Sequence, residues 1–187
     1  MTPAKDKLAH FAVTIISKDR PGIVADTTEV LYQLGCNIED SSCTMLGGDF
    51  AMILIVSHEK PFTKARLVEQ FRHLQEQKGL VAHVRHLSED EVCHREMEGE
   101  LCLISVYGAD RPGIVFKVTR LLADRKVNIT DLNSRLAGAP EAPIYVLMLE
   151  AILPEDLGLD ELSALLENLR KELDVEIGVR TITPVSL

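Results

Sequence analysis

The sequence has no tryptophan, and aromatic residues make up only 4% of its 187 residues. Basic residues are also scarce, since 20 Lys and Arg stand against 29 Asp and Glu and the formal net charge is −9. RNA-binding domains of the small α+β kind need aromatic side chains on their central strands and a basic face. Nucleic-acid affinity in general comes largely from cations that neutralise phosphates. The composition therefore argues against direct binding of DNA or RNA.

Cysteines are few, and their spacing does not suit a metal or redox motif. They lie 7, 50 and 9 positions apart, so none forms a C-x-x-C pair. They are Cys36, Cys43, Cys93 and Cys102. His83 and His86 suggest a metal site with Cys93 and His94, but residues 83 and 86 of one strand point to opposite faces. We predict no metal site, no cofactor and a reduced, cytoplasmic setting.

Long hydrophobic runs and nucleotide-binding loops are absent as well. The first apolar stretch spans only about seven residues and has no small-residue cleavage pattern. No run approaches the roughly eighteen apolar residues of a membrane span. Neither a G-x-x-x-x-G-K-[ST] loop nor a G-x-G-x-x-G loop occurs. We expect a soluble chain that makes no membrane contact.

The sequence does contain an internal repeat. The hexapeptide DRPGIV occurs at 19–24 and again at 110–115. With that shift of 91 residues, five further pairs are identical between position 25 and position 46. They are Thr28 with Thr119, Leu31 with Leu122, Asn37 with Asn128, Ile38 with Ile129 and Asp40 with Asp131. Self-similarity over such a distance indicates a duplicated domain of about ninety residues.

Both units predict the same order of elements. An apolar run of strand length, HFAVTIIS or LCLISVYG, ends just before DRPG, and a pattern of helical period follows. A partly polar strand, a turn at LGGD or at the longer AGAPEAP, an apolar strand, a second helix and a closing strand complete each unit. The order βαββαβ predicts two ferredoxin-like α+β domains, each an antiparallel sheet with helices on one face. The predicted boundaries are 8–88 and 100–187, with an acidic linker at 89–99.

The third strand and second helix of each unit allow finer predictions. FAMILIVS and IYVLMLEA are apolar on both faces, so we expect central strands covered on both sides, and this favours a homo-oligomer. One face of the second helix is predicted to be buried in each unit. The predicted buried residues are Ala65, Val68, Phe71 and Leu74 in the first unit and Leu162, Leu165, Leu166, Leu169 and Leu173 in the second.

The DRPG turn combines two residues with opposite preferences. Proline favours the first helical position and keeps the preceding residue out of helical space, so Arg20 and Arg111 are predicted caps and the prolines the first helical residues. Glycine in a helix costs up to about 1 kcal/mol relative to alanine. Either the missing side chain lets a ligand reach the free N–H groups, or the glycine packs closely against a strand. On the first interpretation, valine at Gly22 and valine at Gly113 would each block one ligand pocket and leave the fold largely intact.

The free N–H groups at a helix start are suited to a carboxylate. Asp19 and Asp110 precede the turn and would either cap the helix, lie in solvent or receive a ligand's ammonium group. Asn37 and Asn128 would either adopt a left-handed turn conformation or contact a ligand through the amide. The candidate ligand-binding residues are Asp19, Gly22, Ile23, Val24, Asn37 and Ile38 in the first unit and Asp110, Gly113, Ile114, Val115, Asn128 and Ile129 in the second.

These residues resemble a known family. A βαββαβ unit with DRPGIV between strand and helix, followed by an N-I-x-D strand, is similar to the ACT domain, and the resemblance covers about 10–88 and 100–183. The combination of DRPGIV, GCNIEDS and MLGGDF more narrowly resembles the family of glycine cleavage system repressors. The second unit departs from that pattern, with KVNITDL in place of GCNIEDS and three extra residues in its hairpin.

The resemblance implies a regulatory protein without enzymatic activity. It implies a small amino-acid effector, glycine or similar, bound where the turn of one ACT domain meets a strand of another, so that two turns build two related pockets. It also implies control of gene expression or of a metabolic enzyme through protein contacts, for example with a transcriptional activator. The alternative is an ACT module that regulates a metabolic enzyme without a ligand of its own. A stand-alone hydrolase or transferase has no motif in its favour.

Overall fold

The computed structural model describes residues 8–59, 61–92, 99–139 and 141–182. The chain folds as two compact units that divide between residues 94 and 95. Cys93 and His94, which the sequence suggested as metal ligands beside His83 and His86, lie outside the described residues. No helix in the described ranges is long and apolar enough to cross a membrane.

The first unit follows the predicted order of elements. Its elements are β1 (Ala9–Lys18), α1 (Ile23–Gln33), β2 (Asn37–Leu46), β3 (Asp49–His58), α2 (Lys64–Lys78), β4 (Val81–Leu87) and the four-residue α3 (Glu89–Val92). The strands form one antiparallel sheet in the order β2-β3-β1-β4. The largest fully buried side chains on the helix side of this sheet include Phe11, Leu31, Leu54 and Phe71.

The second unit repeats this arrangement. Its elements are β5 (Glu100–Gly108), α4 (Ile114–Asp124), β6 (Asn128–Ala139), β7 (Ala142–Leu153), α5 (Leu159–Leu173) and β8 (Val175–Thr181). The strand order is β6-β7-β5-β8, again antiparallel. The predicted α+β class and the ferredoxin-like βαββαβ order are therefore confirmed in both units.

Side-chain packing corrects two of the finer predictions. In α2 the buried face is formed by Leu67 and Phe71, whereas Ala65 and Val68 are exposed. The α5 prediction holds for all of its leucines except Leu165, which is half-buried. The helix period was correct in both cases. On α2 the prediction holds for Phe71 and for Leu74, which is half-buried against the core, but the buried face includes Leu67 in place of Ala65 and Val68.

The third strands are central, as predicted, but they are not covered on both faces. Along β3 every second residue is buried under the helices, while Ile53 on the opposite face remains 52% exposed. The hairpin of the second unit also differs from its prediction. Residues of AGAPEAP continue the ladder, since Gly138 pairs with Pro143 and Ala139 with Ala142. The extra residues therefore lengthen two strands and do not form a long loop.

A buried hydroxyl distinguishes the core of the first unit from that of the second. Thr27 of α1 is fully buried, and its Oγ1 has no hydrogen-bond partner among the described residues. The corresponding residue of α4, with the same shift of 91 residues, is Val118, which is also fully buried. An unsatisfied buried hydroxyl destabilises a fold by about 1–3 kcal/mol relative to an apolar group of the same shape.

Replacing that hydroxyl by a methyl group should stabilise the first unit. We expect Thr27→Val to raise the free energy of unfolding by about 1 kcal/mol, because the two side chains have the same shape and only the desolvated oxygen is lost. Chemical denaturation of the wild type and the variant measures the difference. The matched control is Val118→Thr, which introduces the same hydroxyl into the second unit and should destabilise it. A loss of stability in Thr27→Val would show that the hydroxyl has a partner.

Candidate ligand site at the two glycine turns

Both helices that follow DRPG begin later than the sequence predicted. Helix α1 begins at Ile23 with Gly22 as its N-cap, and α4 begins at Ile114 with Gly113 as its N-cap. The prediction that Arg20 and Arg111 are caps and that the prolines are the first helical residues was therefore wrong. Proline and glycine together form the turn that leads the chain from the strand into the helix.

The two glycines are required by the backbone. Gly22 has φ 92 and ψ −2, and Gly113 has φ 98 and ψ −8, which is the left-handed region that side chains disfavour. A Cβ atom at Gly22 would come no closer to its surroundings than 3.8 Å from the Arg20 guanidinium, and none of the described atoms lies within 4 Å of one at Gly113. Close packing against a strand is therefore not the reason for glycine. Valine there would strain the backbone, a cost that the prediction of a largely intact fold did not include.

The start of each helix presents unpaired backbone donors. The first intrahelical bonds are donated by the N–H of Asp26 to Gly22 O at 2.8 Å and by the N–H of Lys117 to Gly113 O at 2.9 Å. The N–H groups before them have no acceptor in the described parts of the chain, as is usual for the first four donors of a helix. They belong to Gly22, Ile23, Val24 and Ala25 in the first unit and to Gly113, Ile114, Val115 and Phe116 in the second.

A cavity of about 540 Å³ adjoins the first turn. It brings together four of the predicted site residues, Asp19, Gly22, Ile23 and Val24. Its remaining lining was not predicted and consists of Arg20, Ala25, Thr28, Met45 and Phe50. Met45 and Phe50 face each other across the β2–β3 hairpin, which is why reading α1 alone could not have found them.

The aspartates before the turns lie in solvent. The side chains of Asp19 and Asp110 are exposed, and neither carboxylate has a hydrogen-bond or ion-pair partner within the described ranges. The backbone N–H of Asp19 donates to Gly48 O at 3.0 Å, and this bond ties the turn to the tip of the β2–β3 hairpin. Of the interpretations that the sequence left open, capping of the helix does not occur, and both carboxylates face water.

The asparagines and the residues that follow them lie at the opposite end of each sheet. Asn37 pairs with Ser57, whereas Lys18, beside the turn, pairs with Asp49. Eight residues of strand separate these two positions, or roughly 25 Å at about 3.3 Å per residue. Ile38 lies beside Asn37 in this ladder. Within one unit, therefore, the structure does not bring Asn37 and Ile38 to the glycine turn.

The N-I-x-D pattern has a structural basis of its own. A β-bulge follows Ile38 in the first unit and Ile129 in the second, so the residue in the x position drops out of the ladder. The left-handed residues are Gly35 and Lys126, each two positions before the asparagine. Asn37 and Asn128 start regular strands, so the left-handed conformation proposed for them was wrong.

The two turns carry different charges. Arg20 donates to Asp26 Oδ2 at 2.7 Å and to Pro21 O at 3.2 Å, and the hydrogen bond from this guanidinium holds the pKa of Asp26 below its usual value. The residue that corresponds to Asp26 in the second unit is Lys117, so the sign of the charge is reversed at the same place. Comparison of the two repeats would have revealed this difference from the sequence, but only the structure shows what each charge contacts.

Family models identify both units. A model for the ACT domain matches residues 9–85, and a second ACT-domain model matches residues 103–173. Together these matches cover most of the chain and correspond to the two βαββαβ units described above.

Curated relatives agree with this assignment. The chain is 30% identical over 127 residues to the glycine cleavage system transcriptional repressor of Escherichia coli, an alignment that covers 67% of this chain and 64% of the repressor. It is 38% identical over 89 residues to a UPF0237 protein of Methanopyrus kandleri, which covers 47% of this chain and 99% of that protein. The chain thus spans somewhat less than two thirds of the repressor.

Solved structures extend the likeness over both units. A protein of unknown function from Galdieria sulphuraria superposes with a TM-score of 0.79 at 27% identity and covers 95% of this chain and 100% of its own. A protein assigned as a glycine cleavage system transcriptional repressor superposes with a TM-score of 0.70 at 23% identity, covers 95% and 99%, and agrees in fold. The chain therefore belongs to the ACT-domain family and carries two ACT domains in tandem.

Proposed function

We propose that this protein is a non-catalytic regulator that binds a small amino acid, glycine or similar, at its glycine turns. The observation that carries the proposal is the repeated helix start. In both units the helix starts at a left-handed glycine that offers no side-chain cap, and four backbone N–H groups are without an acceptor among the described residues. Such a group of donors at the positive end of a helix is suited to a carboxylate.

The surroundings of the first turn fit the other end of an amino acid. The Asp19 carboxylate borders the same cavity and has no partner in the described parts of the chain, so it is available to an ammonium group. The rest of the lining is largely apolar, with Ile23, Val24 and Phe50 as examples. An amino acid with a short side chain would fit this site: its carboxylate would bind the N–H groups, its ammonium group would bind Asp19, and its side chain would contact the apolar lining.

The asparagine strands are proposed to complete the sites across ACT-domain interfaces. Asn37 and Asn128 start exposed edge strands, far along the ladder from the turn of their own unit. A ligand that contacted both a turn and an asparagine strand would need them from different domains. This requirement supports ligand sites at domain interfaces and a homo-oligomer, since a β2 or β6 strand of one domain would have to approach a turn of another.

We further propose that the output is exerted through protein contacts. The relative named as a transcriptional repressor supports control of gene expression, and the acidic net charge of −9 argues against direct contact with nucleic acid. A transcriptional activator or a metabolic enzyme is the proposed partner, in a cytoplasmic setting and without a cofactor. The second candidate is a module that regulates an enzyme without a ligand of its own. It is favoured by the ion pairs of Arg20 and Arg111, because a guanidinium already paired within the protein is not available to a ligand.

Binding of an amino acid should raise the thermal stability of the chain. At a hundred times its dissociation constant a ligand stabilises the folded state by about 2.7 kcal/mol, and each kcal/mol shifts the midpoint of a domain of about ninety residues by roughly 4–8 °C. Thermal unfolding against a panel of common amino acids, with glycine and serine included, should therefore show a selective shift of about 10 °C or more. The matching amides and decarboxylated amines serve as controls for the two charges. A flat panel would favour the ligand-free alternative.

Substitutions that add a carboxylate to one turn should abolish binding there without strain. Ala25 and Phe116 occupy the same position of the two helices and are both exposed. Glutamate is favourable in the first turn of a helix, but its charge would compete for the N–H groups and repel a ligand carboxylate. We expect Ala25→Glu and Phe116→Glu each to remove one site from an isothermal titration, and the double variant to remove both.

The neutral partners Ala25→Gln and Phe116→Gln control for side-chain size. They should retain a larger part of the affinity, because glutamine adds bulk without charge. Full-strength binding by the double glutamate variant would refute the assignment of the ligand to these turns, whatever the thermal panel reports.

A further inference from the structure

The arginine of the second turn reaches across its domain. Arg111 Nη1 donates to Leu173 O at 3.3 Å, and Nη2 donates to Asp174 Oδ2 at 3.1 Å. Leu173 is the last residue of α5, and Asp174 is its C-cap. One guanidinium thus joins the turn before α4 to the C-terminal end of the other helix, where a carbonyl without an intrahelical donor is available.

Asp174 has an unfavourable backbone conformation, which the contacts from Arg111 can stabilise. Its φ is 53, in the left-handed region, and the residue that holds the corresponding place at the end of α2 is Gly79 with φ 67. Glycine adopts this conformation without a steric penalty, whereas an aspartate does so at a cost. The contacts from Arg111 offset part of that cost, because they satisfy both the carbonyl before Asp174 and its carboxylate.

Two further ion pairs lie close to this contact. Lys117 Nζ lies 2.5 Å from Glu172 Oε1, which is a second tie between the first turn of α4 and the last turn of α5. Arg170 Nη2 lies 2.9 Å from Glu176 Oε2 and so connects α5 to β8. Exposed ion pairs contribute little one at a time, and networks contribute more. Here the pairs join three elements around one corner of the domain.

Among the residues that the structure describes, the first unit has no corresponding arginine contact. Arg20 instead donates its hydrogen bonds to Pro21 O in the turn and to Asp26 in α1. Between α1 and α2 the ion pair found near this turn in the described part of the chain joins Lys78 Nζ to Asp26 Oδ1 at 3.9 Å, the outer limit for such a pair. The arginine of the same DRPG sequence therefore contacts different elements in the two units.

We propose that Arg111 is a brace that couples the second glycine turn to the C-terminal end of α5 and the start of β8, and that the first turn has no direct arginine contact of this kind among the described residues. A displacement of the second turn is then transmitted to 173–177, whereas a displacement of the first turn reaches the end of α2 only through the 3.9 Å contact between Asp26 and Lys78. The brace operates whether or not either turn binds a ligand. Its failure would leave the proposed function untouched, and the reverse also holds.

Hydrogen exchange measured by mass spectrometry on the full chain tests the brace. We expect Arg111→Gln to accelerate amide exchange in 173–177 about three- to tenfold, because local opening there loses the bonds to the carbonyl and the carboxylate. The matched control is Arg20→Gln, which should leave exchange in 78–82 unchanged. Unchanged exchange in 173–177, or equal acceleration at both places, would overturn the proposal.

A double-variant cycle separates the direct contact from a general loosening. Asp174→Asn removes the carboxylate while keeping a side chain that tolerates the left-handed region. If Arg111 acts on Asp174 directly, Arg111→Gln combined with Asp174→Asn will accelerate exchange by less than the product of the two single effects. The difference between wild type and Arg111→Gln should also shrink in 1 M salt, where the screening length is about 3 Å. Multiplicative effects together with salt independence would contradict a direct electrostatic brace.

Discussion

The architecture of both candidate sites depends on a single backbone conformation, the left-handed glycine between DRP and the helix. With φ near 90° at Gly22 and Gly113, the chain passes from the strand into the helix over four residues in the first unit and five in the second. As at the start of any helix, the first four N–H groups have no intrahelical acceptor, and none of the described residues supplies another. A residue with a Cβ would incur a steric penalty at the same angle. Glycine is therefore present for the turn, and because it has no side chain that could cap the helix, the donors stay free.

Duplication has preserved this backbone turn while the side chains around it have diverged. Asp26 of the first unit is replaced by Lys117 in the second, and the two arginines of the turns point to different partners. The cores differ too, since a buried hydroxyl in α1 corresponds to a valine in α4. Two domains with the same topology thus provide different electrostatic surroundings for the same donors. Differences of this kind are what two non-equivalent regulatory sites on one chain would require.

The sheets explain why self-association or partner binding suits this fold. Helices cover one face of each four-stranded sheet, while apolar residues such as Ile16 and Ile53 on the other face of the first sheet are about half exposed. The strands β2 and β6 lie at sheet edges with nearly all of their side chains exposed. Unpaired edges and half-covered apolar faces favour contact with further polypeptide.

The sequence by itself determined the duplication, the βαββαβ order and the place of the special turn, because repeats, apolar periods and the preferences of proline and glycine are local properties of the chain. The finer features came only with the tertiary structure. The cap position depends on a φ angle that DRPG does not reveal, and the buried stripe of α2 depends on which face meets the sheet. The longer second hairpin and the roughly 25 Å between Asn37 and the turn depend on strand register, which is a non-local pairing. The partner of Arg111 lies more than sixty residues further along the chain, and only folding brings it near.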